Sequence, residues 1–277
     1  MNMKPKTGKM VLTIWGARGS IPSPGSKTAH FGGNTSCIEI RAGKEILILD
    51  AGTGIRELGM KLITEGKISA SILLTHYHWD HIMGLPFFAP GYPPQNHFRI
   101  YGENKAGTSL RSILDGQMSA PYFPVRLDEM MSQMEFIEIS ANQNFNIGEV
   151  QVSTYPARHP DSCVSYRISY EGKVVTYATD TEHGQEIDPH LLKSARDADV
   201  LFYDAAYTED EYPKKLGWGH STWAEGIKLA RAAKARQLIL WHHEPSHTDL
   251  IVKKIEQMAQ KEFPNCQAAY EGMEIIL

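Results

Sequence analysis

The sequence predicts a mixed α/β fold in which two β-sheets pack together with helices outside them. Short strand-like runs and helical patterns are mixed along the 277 residues, and the first half of the chain is rich in hairpins. Gly43-Lys44 and Glu171-Gly172 are typical of hairpin turns between neighbouring strands. There is no internal repeat and no low-complexity linker, so we expect residues 1–277 to form one domain.

The individual elements follow from local hydrophobic patterns. Short runs of apolar or alternating residues predict strands, and these lie at residues 10–15, 36–40, 45–49, 72–75, 150–155, 164–169, 173–178, 200–203 and 237–241. Helical periodicity predicts helices, and these lie at residues 54–65, 189–194, 222–233 and 249–263. Ser221-Thr222, with Glu225 close behind, indicates a helix cap at the start of the third helix.

Residues 85–134 interrupt this regular pattern. The segment is rich in proline and aromatic residues, and its hydrophobic periodicity is weak. We interpret it as an insertion with two alternative roles. It either lines or caps a pocket, or it forms an irregular surface excursion or a dimer contact.

The bulk composition excludes several classes of function. Hydrophobic residues make up 42% and charged residues 22% of the chain, which is an ordinary globular balance. The net charge of −4 argues against a protein that grips a long nucleic acid. No apolar run approaches the roughly 18 residues that span a bilayer. The apolar stretch at residues 10–15 is too short for a signal-peptide core.

The cysteines indicate the compartment. Cys37, Cys163 and Cys266 are far apart, odd in number and form no CxxC pair. Neither a disulfide framework nor a cysteine zinc site is therefore predicted. We expect a reducing, cytoplasmic location.

The strongest functional signal is the motif His-Tyr-His-Trp-Asp-His at residues 76–81. It directly follows the predicted strand at 72–75, and a loop at a strand end can direct several side chains to one spot. Its candidate ligands are His76, His78, Asp80 and His81. Imidazole nitrogen and carboxylate oxygen suit zinc and similar metals. Four such groups could serve two ions, so we expect hydrolysis by a metal-activated water.

Further candidate ligands follow later strands. His159 comes after the strand at 150–155, Asp180 after the strand at 173–178, and His242 after the strand at 237–241. Loops at strand ends on a rigid sheet are suited to presenting ligands. His243 is an alternative to His242, which we prefer because it directly follows the strand.

This order of motifs resembles the metallo-β-lactamase superfamily, from about Val11 to the C-terminus. The resemblance implies a four-layer αββα sandwich with the site at one edge between the sheets. It also implies two divalent metal ions, with zinc expected and manganese or iron as alternatives. One ion would be held by His76, His78 and His159, the other by Asp80, His81 and His242, with Asp180 bridging both.

The chemistry implied by the resemblance is metal-assisted hydrolysis. Two ions roughly 3.5–4 Å apart would share a water and lower its pKa, and the resulting hydroxide would attack the substrate. Asp80 would both bind a metal and orient this nucleophile. Asp50, after the strand at 45–49, is interpreted as a bracing carboxylate, and His183 as a pocket residue.

One motif indicates a branch of the superfamily. The sequence Trp-Gly-His-Ser-Thr at residues 218–222 resembles the phosphodiesterase branch typified by tRNase Z. That resemblance implies a catalytic role for His220, supported by Asp204 after the strand at 200–203. The alternative is that His220 simply lies near a helix cap. Asp180 stands where the best-known zinc β-lactamases use a cysteine, which argues against an antibiotic hydrolase.

The substrate is expected to be small. Only twenty residues separate His159 from Asp180, where tRNase Z commonly carries a long tRNA-clamping arm. We therefore expect a phosphodiesterase for a cyclic nucleotide or cyclic dinucleotide. The aromatic segment 85–134 would either stack a base or, equally well, form a dimer interface. A homodimer is also expected from the resemblance. The alternatives are a tRNase Z-like endoribonuclease, a thioester or lactone hydrolase, and a metal-bound binding module without turnover.

Overall fold

Strands and helices are mixed along the chain, as the sequence predicts. The computed structural model describes residues 9–277 and forms fourteen strands and six α-helices there. The strands in chain order are β1 (Met10–Gly16), β2 (Cys37–Ala42), β3 (Glu45–Leu49), β4 (Ser69–Leu73), β5 (His97–Glu103), β6 (Gln133–Ile139), β7 (Asn144–Ile147), β8 (Val150–Ala157), β9 (Cys163–Tyr170), β10 (Lys173–Ala178), β11 (Val200–Asp204), β12 (Gln237–Trp241), β13 (Cys266–Ala268) and β14 (Glu274–Ile276). The α-helices are α1 (Gly54–Leu62), α2 (Trp79–Ile82), α3 (Leu110–Gln117), α4 (Pro189–Ala195), α5 (Trp223–Ala233) and α6 (Asp249–Glu262).

These strands form two seven-stranded sheets. The first has the order β14-β1-β2-β3-β4-β5-β6 and the second the order β13-β12-β11-β10-β9-β8-β7. Strands β3 to β6 are parallel in the first sheet, as are β10 to β13 in the second. The two predicted hairpins join β2 to β3 and β9 to β10. Gly43, Glu171 and Gly172 have positive φ, which two-residue hairpin turns require.

Three apolar layers hold the sheets and helices together. The central one lies between the two sheets and includes the fully buried rings of Tyr166, Tyr177 and Trp241. The second lies between the first sheet and helices α1 and α3. The third lies between the second sheet and helices α4, α5 and α6. The result is a four-layer αββα sandwich, and the predicted fold class is confirmed.

Most predicted elements are present, with shifted ends. The predicted helix 222–233 begins one residue later, because Thr222 is its N-cap and its side chain accepts the backbone N–H of Glu225 at 3.4 Å. The predicted helix 54–65 ends at Leu62 and continues as the 3₁₀ turn Ile63–Glu65. Such end shifts are expected, since helix ends depend on local capping.

Residues 85–134 are more regular than their sequence indicates. Strand β5 lies inside the first sheet between β4 and β6, and α3 packs against this sheet. Phe98 and Ile100 in β5 are fully buried in the layer that the helices cover. The alternation of buried and half-buried residues in β5 covers few positions, and prolines and 3₁₀ turns precede it. The strand pattern is therefore not evident from the sequence. Part of this segment therefore belongs to the core of the sandwich.

The strand ends that position the site share one edge. β8 runs in the same direction as β10, because two antiparallel pairings separate them. The carboxyl ends of β8, β10, β11 and β12 therefore lie at the same edge of the second sheet. Across residues 9–277, no helix has both the length and the apolar character needed to cross a bilayer.

Candidate metal centre

Seven histidine and aspartate side chains meet where β4, β8, β10 and β12 end. Four come from the loop and helix α2 that follow β4, and one follows each of the other strands. Their ligand atoms form two groups, and within each group all these atoms lie within 4.8 Å of one another. The first group is His76, His78 and His159, and the second is Asp80, His81, Asp180 and His242. The structure thus brings together every ligand that the resemblance implies.

Asp180 lies between the two groups. Its Oδ1 is 3.2 Å from Nε2 of His81, and its Oδ2 is 3.3 Å from Nε2 of His242. The same Oδ2 lies 3.6 Å from Nε2 of His76 and 3.8 Å from Nε2 of His159. A carboxylate within reach of both groups has the position that a bridging ligand needs.

Three buried nitrogen atoms in the cluster have no hydrogen-bond partner. They are Nε2 of His76, Nε2 of His81 and Nδ1 of His242. An unsatisfied buried polar atom destabilises a fold by roughly 1–3 kcal/mol, and a divalent cation would give the two Nε2 atoms a partner. The donors, imidazole nitrogens and carboxylate oxygens, are those that zinc and similar metals take. The residues present therefore fit divalent cations.

Asp50 contacts the candidate ligand His81 directly and the candidate ligand His76 through Thr75. Its fully buried carboxylate accepts the backbone N–H of Thr75 at 2.8 Å and the hydroxyl of Tyr177 at 2.9 Å. Nδ1 of His81 lies 2.8 Å from Oδ2 of the same carboxylate, so Nε2 of that ring faces the cluster. The Thr75 hydroxyl contacts Nδ1 of His76 at 3.1 Å. These contacts agree with the bracing role interpreted from the sequence.

Two glycines allow the backbone to approach the ligand rings closely. A Cβ at Gly219 would lie 2.1 Å from Nδ1 of His159, and a Cβ at Gly19 would lie 2.2 Å from Nδ1 of His242. The carbonyl of Gly219 lies 2.8 Å from His159 Nδ1 and accepts its proton. Any side chain at these two positions would displace a ligand ring.

Three site residues occupy the left-handed region of backbone space. Asp50, Asp180 and His242 have φ values of 59°, 50° and 60°. Each is the first or second residue after its strand. Such a conformation in a residue other than glycine costs of order 1–3 kcal/mol and persists only where the surrounding structure imposes it. The backbone therefore turns sharply at these three strand ends.

The carboxylates change the protonation of the buried imidazoles. Burial alone would lower the pKa of His81, but the charges of Asp180 and Asp80 outweigh it and raise that pKa well above its usual value. Burial is also outweighed at His242, where Asp180 and the hydrogen bond with Asp80 raise the pKa to about 9. At His76, burial lowers the pKa well below its usual value. In the metal-free cluster, a pKa of about 9 leaves His242 protonated at neutral pH, and a cation must displace that proton.

His220 lies beside the second group and is paired with Asp204. Its Nδ1 is 2.8 Å from Oδ2 of Asp204, which is fully buried at the end of β11. Oδ1 of Asp204 also accepts the backbone N–H groups of Ala206 at 3.1 Å and Ser221 at 3.3 Å. The His220 ring stacks on that of His242 with centroids 4.5 Å apart. The His220–Asp204 pair therefore lies directly beside the second group of candidate ligands.

A cleft of about 390 Å³ opens over the cluster. It is lined by Ser20, Tyr77, His78, Trp79, Asp80, Asp180 and His220. Within the described part of the chain, residues 85–134 do not line it, and the exposed aromatic surface at the site is Trp79, which is 76% exposed. The aromatic segment 85–134 is therefore not where a base in this cleft would stack.

Ser20 is a site residue that the sequence patterns do not indicate. Its backbone N–H donates to Oδ2 of Asp80 at 2.8 Å. The available signal is the sequence Gly-Ala-Arg-Gly-Ser at residues 16–20, where two glycines and a serine end the first strand. Such a turn can direct a backbone N–H at an anion.

Two other histidines near the site point away from the cluster. His243 lies with Nε2 2.8 Å from the carbonyl of Ala269, and burial lowers its pKa to about 3, so it is a neutral donor. Of the adjacent pair, His242 is therefore the candidate ligand. Nδ1 of His183 contacts the hydroxyl of Ser221 at 2.8 Å, behind the His220 turn.

The fold and this cluster define a class of metal-dependent hydrolases. The family described as the beta-lactamase superfamily domain matches residues 45–243. The chain belongs to this superfamily, and both the predicted superfamily and the predicted enzyme class are confirmed.

Individual relatives agree with this assignment. The chain is 24% identical to ribonuclease Z from Pyrococcus horikoshii over 259 residues, which cover 78% of this chain and 82% of that protein. Among solved structures, the metallo-beta-lactamase fold protein YhfI from Bacillus subtilis matches with a TM-score of 0.71, 18% identity and coverage of 97% and 99%. A diphosphatase from the PhnP family matches with a TM-score of 0.71, 18% identity and coverage of 96% and 97%. These structural similarities show a shared fold.

Proposed function

We propose that this protein is a dinuclear metal-dependent phosphodiesterase for a small phosphodiester, namely a cyclic nucleotide or a cyclic dinucleotide. The observation that carries the proposal is the His220–Asp204 pair beside the ligand cluster. An imidazole oriented by a carboxylate can stabilise charge on a phosphate or protonate a leaving oxygen. His220 lines the cleft, so it is accessible to a substrate.

Two sets of residues would each bind one metal ion. His76, His78 and His159 would hold one ion, Asp80, His81 and His242 the other, and Asp180 would join both. Zinc is the first candidate, with manganese or iron as alternatives. When bound, such ions supply a water of lowered pKa and neutralise charge on the phosphate.

Two features of this chain support a small substrate. Between His159 and Asp180 the chain forms the β9–β10 hairpin and short connections, which leaves no segment for a tRNA-clamping arm at that position. Trp79 lies in the cleft between His78 and Asp80 and exposes a flat aromatic face. Stacking of a base on an aromatic side chain contributes roughly 1–3 kcal/mol. Trp79, and not segment 85–134, is therefore the surface on which we propose that a base stacks.

The second candidate is a tRNase Z-like endoribonuclease. It is favoured by the similarity to ribonuclease Z from Pyrococcus horikoshii. The net charge of −4 argues against it, because grip on a long backbone relies on basic side chains.

One turnover panel tests both candidates. The zinc-loaded protein is assayed with bis-(p-nitrophenyl) phosphate, cyclic mononucleotides, cyclic dinucleotides, a precursor tRNA and a thioester. We expect a cyclic phosphodiester to be the best substrate and its kcat to fall roughly 10²–10⁴-fold in His220→Ala. Preference for the precursor tRNA would establish the second candidate. Preference for the thioester, or full activity of His220→Ala, would refute the first.

We also propose that the protein is a cytoplasmic homodimer. Phe87 and Tyr122 in segment 85–134 are 56% and 82% exposed, and exposed aromatic residues are enriched at protein interfaces. Light scattering of the purified protein should give a mass of about twice 31.0 kDa. A mass of one chain at micromolar concentration would contradict this part.

A further inference from the structure

Glu182 contacts the turn that carries His220. It follows Asp180 by two residues and is half-buried. We propose that Glu182 is a positioning residue that holds both His159 and His220 in place through this turn. The inference rests on the proposed metal site and on the proposed role of His220.

The carboxylate of Glu182 binds two backbone amides of the turn. Oε1 accepts the N–H of Gly217 at 2.8 Å, and Oε2 accepts the N–H of Gly219 at 2.9 Å. The hydroxyl of Tyr212 also donates to Oε1 at 3.3 Å. Both glycines have positive φ, at 82° and 85°. A turn of this kind lacks the repeating hydrogen bonds of a helix or strand, so the carboxylate supplies its anchor.

The anchored turn reaches a candidate metal ligand directly. Gly219 donates its N–H to Glu182 and accepts the Nδ1 proton of His159 on its carbonyl oxygen at 2.8 Å. The backbone N–H of Glu182 donates to the carbonyl of Arg158 at 2.7 Å, one residue before His159. The four residues Glu182, Gly219, His159 and Arg158 therefore form a closed ring of contacts. A shift of Gly219 would rotate the His159 ring and move its neighbour His220.

The chemistry of the anchor explains why a carboxylate stands there. The amides of Gly217 and Gly219 donate to different oxygen atoms of Glu182, and bonds to a charged acceptor are stronger than bonds to a neutral one. Glutamine at residue 182 would keep one acceptor and turn an NH₂ group towards the second amide. Glu182→Gln should therefore have a partial effect and Glu182→Ala a larger one.

Zinc affinity provides a test that needs no substrate. Metal-free wild type, Glu182→Gln and Glu182→Ala are titrated with Zn²⁺ against a chromophoric chelator, and His159→Ala identifies the binding step that depends on this ligand. We expect Glu182→Ala to weaken that same step by about 10–100-fold, since the residues that orient a metal ligand typically have effects of this size. Glu182→Gln should weaken it less.

Leaving-group dependence tests the effect on His220. The wild type and Glu182→Ala are compared on the best cyclic phosphodiester and on methyl p-nitrophenyl phosphate. We expect kcat to fall more for the cyclic substrate, because nitrophenolate leaves without a proton and an alkoxide needs an acid. If the wild type hydrolyses neither, the proposed function fails, and the zinc titration still decides the role of Glu182.

Asp188→Ala is the matched control. The Asp188 carboxylate also accepts two backbone N–H groups, those of His190 at 2.7 Å and Leu191 at 3.3 Å, at the start of α4. This variant should lose thermal stability and keep wild-type zinc affinity. The inference is overturned if Glu182→Ala behaves in the same way, with zinc affinity and leaving-group preference unchanged. If Glu182→Ala does not fold, the same comparison is decided with Glu182→Gln.

Discussion

Replacing Asp50 with asparagine tests how strongly the metal cluster depends on the carboxylate beneath it. Asparagine has nearly the same size and tolerates the φ of 59° at this position. One of its two terminal atoms, however, is an NH₂ donor. If the NH₂ group replaced Oδ1, it would face the backbone N–H of Thr75, which lies 2.8 Å from that oxygen in the wild type. If it replaced Oδ2, it would face Nδ1 of His81, which lies 2.8 Å from that oxygen. Either orientation therefore sets donor against donor in a fully buried place.

The size of the effect follows from these contacts. The variant loses at least one hydrogen bond to a charged acceptor, which contributes roughly 1.5–3 kcal/mol, and leaves a buried donor unpaired, which costs roughly 1–3 kcal/mol. We expect the metal-free Asp50→Asn protein to lose about 2.5–6 kcal/mol of unfolding free energy. For a chain of 277 residues that corresponds to a Tm lower by about 4–10 °C. Zinc affinity should fall about 10–100-fold, because His81 is no longer held in one orientation.

Denaturant unfolding and zinc competition titration measure the two effects separately. Asp199→Asn is the control, because Asp199 is also buried and accepts the backbone N–H of Val174 at 2.9 Å while pairing with Arg236. It should lose stability without losing zinc affinity. Wild-type zinc affinity in Asp50→Asn would refute the argument that this carboxylate orients a ligand.

Three further predictions concern the site. The pKa of His242 is raised to about 9 in the metal-free protein. The stabilisation from its proton is therefore fully present below the unfolded pKa near 6.5 and is lost as the pH rises through 9. Zinc loading at pH 7.5 should release protons, which calorimetry in buffers of different ionisation enthalpy measures; no release at that pH would contradict the raised pKa of His242. Gly19→Ala should weaken zinc binding at least tenfold, because the added Cβ would displace the His242 ring. Gly116→Ala is the control and should leave zinc binding unchanged, because the space around Gly116 is open. Equal zinc affinities of the two variants would contradict the close approach of Gly19 to the His242 ring. Trp79→Ala should raise KM about 5–100-fold for thymidine 5′-(p-nitrophenyl phosphate) but little for methyl p-nitrophenyl phosphate, and an equal change for both would exclude base stacking.

Much of the fold could be predicted because its strands have short, clear apolar patterns. Strands β3, β10 and β12 have the predicted bounds, and the hairpin turn between β9 and β10 was evident from Glu171-Gly172. Strand β5 could not be predicted, because its alternation covers few residues and lies among prolines. Strands β13 and β14 have three residues each, which is too short for any period to show.

The candidate site was predictable to the extent that its residues stand in recognisable local motifs. The motif at 76–81 and the histidines and aspartate after three later strands could be read directly, since ligand type and strand position are both local properties. Ser20 and Glu182 could not be found in this way. Each acts through a contact with a residue distant in the chain, Ser20 with Asp80 and Glu182 with Gly219.

The sequence by itself determined which chemical groups are available and which strands deliver them, because both depend on residues that are close neighbours in the chain. Only the tertiary structure decided that Asp180 lies within reach of both ligand groups, that His242 and not His243 faces them, and that Trp79 is the aromatic surface in the cleft. These outcomes depend on how two sheets pack and how sharply the backbone turns after each strand. Distances between residues far apart in the chain are set only when the sandwich closes.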